Sequence, residues 1–215
     1  MYIVMIASEC APVAKVGGLA DVVFGLGREL EIRGHAVEIV LPRYDCMRED
    51  QVWDLHVVDH ELWVPWDGGA IPCTISFGFA HGRKCYFIEP RSSQDFFDRG
   101  TYYGFPDDAE RFAFFSKAAL EFLLKAGKRP DVIHTHDWQT GLVPVLLYEI
   151  YSSTGLADQR VCHTIHNFRH QGVTGPGILR ATGLGRPDYF GAPDRMGDPY
   201  DRHSINLMRG AILYS

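Results

Sequence analysis

Tyr2-Ile-Val-Met-Ile-Ala-Ser8 is an apolar run that ends in small and polar residues, the pattern of a strand buried on both faces. Glu9–Gly18 follows as a loop containing Pro12 and the pair Gly17-Gly18. From Leu19 onward, Leu19, Val22, Val23, Leu26 and Leu30 recur at helical spacing, and Gly34 is placed to end that helix as a C-cap. Ala36-Val-Glu-Ile-Val-Leu41 is the next strand, closed by Pro42. Strand, loop, helix and strand in such short order predict a βαβ unit, and with it an α/β fold built on a Rossmann-like, doubly wound, mainly parallel sheet.

Beyond this unit the texture changes. Val52–Val58, Glu61–Trp66, Ile71–Phe79 and Lys84–Ile88 are four strand-like runs separated by turn signals such as Asp67-Gly68-Gly69 and His81-Gly82. They predict an antiparallel meander around residues 52–88, inserted on the main sheet or extending it. Glu89–Pro106 is a long polar loop, and loops of this length are usually functional. Asp107–Ala126 is a helix opened by acidic residues, with Phe112, Phe115, Ala119 and Leu123 as its buried stripe and Gly127 as its cap. Then βα alternation resumes: strand Asp131–Thr135, helix Trp138–Tyr151, strand Arg160–Ile165, and an irregular Gly- and Pro-rich stretch from His166 to Asp201. His203–Arg209 reads as helix and Ala211–Tyr214 as strand. The final apolar run predicts that the chain is the N-terminal half of something longer.

Composition narrows the class. The 215 residues are 46% hydrophobic and 22% charged, which excludes disordered and fibrous proteins. A net charge of -6 without any run of Lys and Arg argues against a nucleic-acid partner. Five scattered cysteines without a C-x-x-C pair predict reduced thiols in a cytoplasmic protein. Tyr2–Ala7 lacks a basic flank and meets Glu9, so it reads as a strand rather than a signal peptide, and no run nears the roughly 18 apolar residues of a membrane span.

In doubly wound sheets ligands bind beyond the carboxyl ends of the strands. That singles out the loops Glu9–Gly18, His136–Gly141 and His166–Gly175. In Lys15-Val-Gly17-Gly18-Leu19 the glycines let a ligand approach the backbone, the helix N-terminus favours an anion, and Lys15 adds a point charge suited to phosphate. A turn that simply requires glycine, with a solvated lysine, accounts for the same residues. Neither G-x-G-x-x-G nor G-x-x-x-x-G-K-[ST] is present. In His134-Thr-His136-Asp137-Trp138-Gln139-Thr140, Asp137 or Thr135 could cap the helix, while H-x-H plus Asp invites a metal-dependent hydrolase reading. This stretch lies mid-chain with no downstream strand-end His and Asp to complete a metal site. In the third loop His166 and Asn167 fall just past a strand end and project into the crevice, His170 and Gln171 offer polar contacts to a sugar, and His163 sits within the strand. No Ser–His–Asp or Cys–His set stands out, and Cys10 reads as a packed thiol.

Four blocks in order resemble the bacterial glycogen (starch) synthases. They are Ser8-Glu-Cys-Ala-Pro12 with Lys15-Val-Gly-Gly-Leu-Ala-Asp-Val-Val23, Asp108-Ala-Glu-Arg-Phe-Ala-Phe-Phe-Ser116, His134-Thr-His-Asp-Trp-Gln-Thr-Gly141 and Thr164-Ile-His-Asn167. The resemblance runs over residues 1–215 and implies the N-terminal, acceptor-side domain of a GT-B glycosyltransferase whose C-terminal nucleotide-binding domain lies outside this chain. It implies retaining transfer of glucose from ADP-glucose, or UDP-glucose in some members, to the non-reducing end of an α-1,4-glucan such as glycogen, with no metal and no cofactor. By the same resemblance Lys15 contacts the donor diphosphate, Gly17 and Gly18 admit it, and Asp21 holds the donor-side geometry. His166 lies against the transferred glucose as the catalytic residue, with Asn167 beside it in the substrate site. Asp137, Trp138 and Gln139 line the acceptor side, Trp138 by stacking on a sugar ring. The isolated half is expected to be inactive or nearly so. Phe168, His170 and Asp108 depart from the family's usual Leu, Tyr and Asn and alter the shape of the acceptor loop. A stand-alone α-glucan- or partner-binding module is the non-catalytic alternative.

Overall fold

The computed structural model describes residues 1–215. In chain order the elements are β1 (Tyr2–Ile6), α1 (Gly18–Ile32), β2 (Ala36–Pro42), β3 (Val52–Trp66), β4 (Gly69–Ala80), β5 (Arg83–Pro90), α2 (Asp108–Lys125), β6 (Val132–His136), α3 (Leu142–Glu149), β7 (Arg160–Thr164), β8 (Val173–Thr174), α4 (Gly177–Thr182), α5 (Pro187–Phe190), β9 (Ile205–Asn206) and α6 (Leu207–Leu213). Seven strands form one sheet in the order β3-β4-β5-β2-β1-β6-β7. β5, β2, β1, β6 and β7 run parallel, and β3-β4-β5 is the antiparallel meander. The meander therefore extends the main sheet through the β2–β5 pairing.

The chain leaves β1 towards β2 on one side and returns through β6 on the other, so the sheet reverses its order between β1 and β6. Loops leaving those two carboxyl ends diverge and leave a crevice between them. Val4, Met5 and Ile6 are fully buried, as expected for a parallel strand covered on both faces. α1 packs on the sheet through Leu19, Ala20, Val23 and Gly27. A Cβ at Gly27 would lie 3.6 Å from Met5 Sδ and 3.7 Å from Ile39 Cδ1, so the helix seats closely there.

Several expectations need correction. Val52–Val58 and Glu61–Trp66 are one strand, because register shifts across Val57/Asp59 and Asp59/Leu62 absorb the polar residues between them as bulges. The helix expected over Trp138–Tyr151 is split into a 3₁₀ turn at Trp138–Thr140 and α3. At the break a Cβ on Gly141 would lie 2.6 Å from the Leu207 carbonyl oxygen, so the start of α6 abuts the backbone there. Ala211–Tyr214 is not a strand: Ala211–Leu213 end α6, with Ile212 and Leu213 exposed, and Tyr214 is its C-cap. Short helices α4 and α5 occupy the stretch expected to be irregular. Finally, α2 is buried nearly all round rather than along one stripe, including Arg111 and Lys117.

Candidate functional site

A cavity of about 780 Å³ opens at the carboxyl ends of β1, β6 and β7, where the sheet reverses. Gly17, Gly18, Asp137, Trp138, Gln139, His166 and Asn167 all line it. Local packing leaves both glycine Cβ positions empty, with nothing within 4 Å. Neither glycine is required by the fold at close quarters, and the space in front of them belongs to the cavity.

Lys15 and Asp21 do not line it. They pair with each other at 2.7 Å on the exposed surface beside the cavity mouth. Nor are the loop's backbone donors all free. Glu9, 5% exposed, accepts from Val16 N–H (2.6 Å) and Gly17 N–H (3.0 Å), so its carboxylate already fills part of the anion seat expected from the glycine pair. The first turn of α1 carries no side-chain cap, which leaves donors there for a ligand.

Asp137 joins the two strand-end loops that form one wall of the cavity. It holds φ at 54° with ψ at -176°, a backbone region that is essentially glycine's and that a side chain occupies only at a cost in strain. Its Oδ1 accepts from the backbone N–H groups of His166 (2.6 Å) and Asn167 (3.2 Å). The end of β6 is thereby tied to the loop after β7. Thr140 Oγ1 accepts from His136 N–H at 2.7 Å and donates to the His136 carbonyl at 2.8 Å, closing the 3₁₀ turn. Trp138 meets Phe112 edge-on at 5.7 Å. On its other side Gly172, at φ +65°, approaches so closely that a Cβ would lie 2.5 Å from the indole. Gln139 Oε1 is buried without a hydrogen-bond partner.

Three histidines, His134, His136 and His166, converge behind this wall, and a fourth, His163, lies on the other face of the sheet. His134 and His136 alternate onto one face of β6, with ring centroids 4.2 Å apart. His136 Nδ1 lies 3.1 Å from His166 Nε2. His134 bonds Thr164 Oγ1 at 2.8 Å, and on the opposite face Thr135 Oγ1 meets His163 Nδ1 at 2.8 Å. Burial pushes His134 and His163 down to about 4, with further lowering from neighbouring histidines, and pushes His136 well below the usual imidazole range. These three rings are neutral at pH 7. His134, His136 and Asp137 each engage different partners, and no group of three or more His, Cys, Asp or Glu is arranged to hold a metal ion.

Sequence reasoning missed several lining residues. Tyr103, from the long polar loop, donates to Glu9 Oε1 (2.7 Å) and lies 2.9 Å from Ser8 Oγ. Asp108 also reaches the cavity; its carboxylate accepts from Arg111 Nε (2.8 Å) and Gly104 N–H (2.9 Å). Arg111 is wholly buried, lies 4.6 Å from the Phe112 ring and donates to the carbonyls of Phe96 and Tyr102, so it pins the loop that carries Tyr103. The length of that loop was the available signal. Val22, expected in the core stripe, is 42% exposed and faces the cavity.

Residues 2–215 match the family model described as the starch synthase catalytic domain. Over all 215 residues the chain is 65% identical to glycogen synthase 1 of Synechococcus sp. (strain JA-3-3Ab), covering 44% of that protein. It is 65% identical over 210 residues to glycogen synthase 2 of Methylococcus capsulatus, covering 43% of it. Among solved structures, the catalytic domain of starch synthase IV from Arabidopsis thaliana, bound to ADP and acarbose, is similar at a TM-score of 0.97 and 47% identity; the match covers all of this chain and 43% of that one. The chain thus spans less than half the length of these relatives.

Proposed function

The chain belongs to the starch synthase catalytic-domain family, and on that premise we propose that it is the N-terminal, acceptor-side half of a glycogen synthase. The reaction is retaining transfer of glucose from ADP-glucose to the non-reducing end of an α-1,4-glucan. The nucleotide-binding half of the same enzyme is its principal partner. The observation that carries this reading is the cavity at the sheet reversal, where His166, anchored through Asp137, shares one space with the unobstructed glycines. ADP in the solved starch synthase IV domain supports ADP-glucose as donor, and acarbose supports a glucan acceptor.

In this reading Gly17 and Gly18 admit the diphosphate to the uncapped N-terminus of α1, and Lys15 leaves Asp21 to meet its charge. A surface pair of this kind is worth only about 0–1 kcal/mol, so its exchange for phosphate costs little. His166 lies against the transferred glucose, and Asn167 holds a hydroxyl beside it. Gln139, with its unpaired buried Oε1, and Trp138 receive the acceptor along with Asp137. Such a transfer, through an oxocarbenium-like transition state, depends on stabilising the leaving diphosphate and excluding water more than on a protein nucleophile. The five cysteines are unpaired, which suits a reducing cytoplasm, and no helix is long and apolar enough to cross a membrane.

The test is incorporation of labelled glucose into glycogen by the full-length protein. We expect transfer from ADP-glucose, a raised donor KM for Lys15→Ala, and near-complete loss of kcat for His166→Ala. Absence of transfer from both ADP- and UDP-glucose would sink the reading.

A further inference from the structure

We propose that His136 is a positioning residue that fixes the proton of His166 on Nδ1, so that the cavity meets a hydrogen-bond donor there rather than an acceptor. The inference rests on the reading of His166 as a substrate contact, but its physical basis lies in the β6–β7 register alone.

His136 is completely buried, and its Nδ1 sits 3.1 Å from His166 Nε2. Its other nitrogen, Nε2, is buried with no partner of any kind. A neutral imidazole carries one N–H and one bare nitrogen, so two arrangements are available. If His166 donated from Nε2, His136 would accept at Nδ1 and carry its own proton on Nε2, leaving a buried N–H without an acceptor. If His136 donates from Nδ1, its Nε2 is a bare lone pair, and His166 accepts at Nε2 and carries its proton on Nδ1. Orphaned buried N–H groups are rarer than under-satisfied acceptors, so the second arrangement wins. Protonating both nitrogens of His136 would leave the same orphaned N–H on Nε2, and desolvation with the neighbouring His134, His166 and His163 keeps that ring neutral.

The consequence falls on the nitrogen that faces the ligand. His166 Nδ1 has no protein partner and is not enclosed, and its ring lines the cavity. The ring is held by its bond to His136, whose plane lies 24° from its own with centroids 5.4 Å apart, on a backbone anchored by Asp137. An N–H held in that direction donates to a sugar hydroxyl oxygen or to an anionic oxygen, and the bond made by the other nitrogen decides which form is present.

The wild-type full-length protein, labelled with ¹⁵N at histidine, gives the direct test. Long-range ¹H–¹⁵N correlation near neutral pH, with His166 assigned by loss of its signals in His166→Gln, is expected to show a protonated-type Nδ1 and an unprotonated-type Nε2. The reverse pattern in the wild-type protein overturns the proposal. His136→Phe is expected to release the tautomer and lower kcat about tenfold or more, with donor KM held within about twofold. His136→Asn, whose amide can donate from a similar place, is expected to recover part of that loss. A His136→Phe enzyme with unchanged His166 shifts and unchanged kcat overturns the proposal. Failure of the functional reading looks different: His166→Ala would then transfer glucose normally, while the wild-type nitrogen shifts still report the hydrogen bond.

Discussion

Asp137 shows how one side chain couples two loops that are distant in sequence. Its carboxylate satisfies two backbone donors just past β7 while its own backbone takes a positive φ. Asp137→Ala would leave both N–H groups without their acceptor. It is expected to lower stability by about 1–3 kcal/mol. Asp137→Asn keeps an acceptor oxygen on a side chain of the same shape, so it should lie close to wild type. Urea denaturation of the three proteins checks this, and equal losses in Ala and Asn would assign the effect to charge instead of geometry. Glu9 acts similarly on the facing wall, holding Val16 and Gly17 while accepting from Tyr103.

The loop and first turn leading into α1 can be tested apart from the rest of the fold. Gly17 has φ -139° and ψ -162°, extended backbone open to any residue, and its Cβ site is empty. Gly17→Ala is therefore expected to leave stability unchanged or raise it by about 0.4–1 kcal/mol through the unfolded chain. In the full-length protein the same methyl would stand where we propose that the donor approaches, so donor KM is expected to rise. A matched pair of thermal melts and donor saturation curves reads both effects. A destabilised variant, or an unaltered KM, would remove the glycine from the role given it. Gly172 is the opposite case, since its φ of +65° and its contact with Trp138 make it indispensable to packing.

For the molecule as a whole, the buried histidines predict a pH dependence. Unfolded histidines take up protons near 6.5, whereas His134 and His163 do so in the fold near about 4. Between those values the unfolded state binds more protons, so stability rises with pH. The stability is fully present above about pH 6.5 and is lost as pH falls towards 4, by roughly 2 kcal/mol for each of the two residues at pH 5. His136 adds in the same direction. The urea midpoint is expected to fall between pH 7 and pH 5, and His134→Asn or His163→Asn should flatten that dependence. Identical midpoints at the two pH values would contradict neutral burial of these rings.

How far the sequence reached depends on the range of the signal. The β1–α1–β2 unit, the caps Gly34 and Gly127, the meander and the three strand-end loops were legible, because apolar periodicity and turn chemistry act within a few residues. The four-residue run Ala211–Tyr214 was not: so short an apolar stretch fits strand or helix equally, and continuation from Leu207 makes it helix as far as Leu213. The bulges of β3 stayed hidden because they arise from pairing with β4. Of the residues that line the cavity, Gly17, Gly18, His166 and Asn167 were legible from their places after strand ends, and Asp137, Trp138 and Gln139 from the family resemblance. The Lys15–Asp21 pair, Glu9 in the anion seat, Tyr103 above it and the His136–His166 bond were decided only by the tertiary structure. His136 and His166 stand thirty positions apart, and it is the parallel register of β6 on β7, with His136 opposite Thr164, that brings the two rings together. Local pattern sets which residues end a strand; only the packing of strand against strand sets which of those ends face each other.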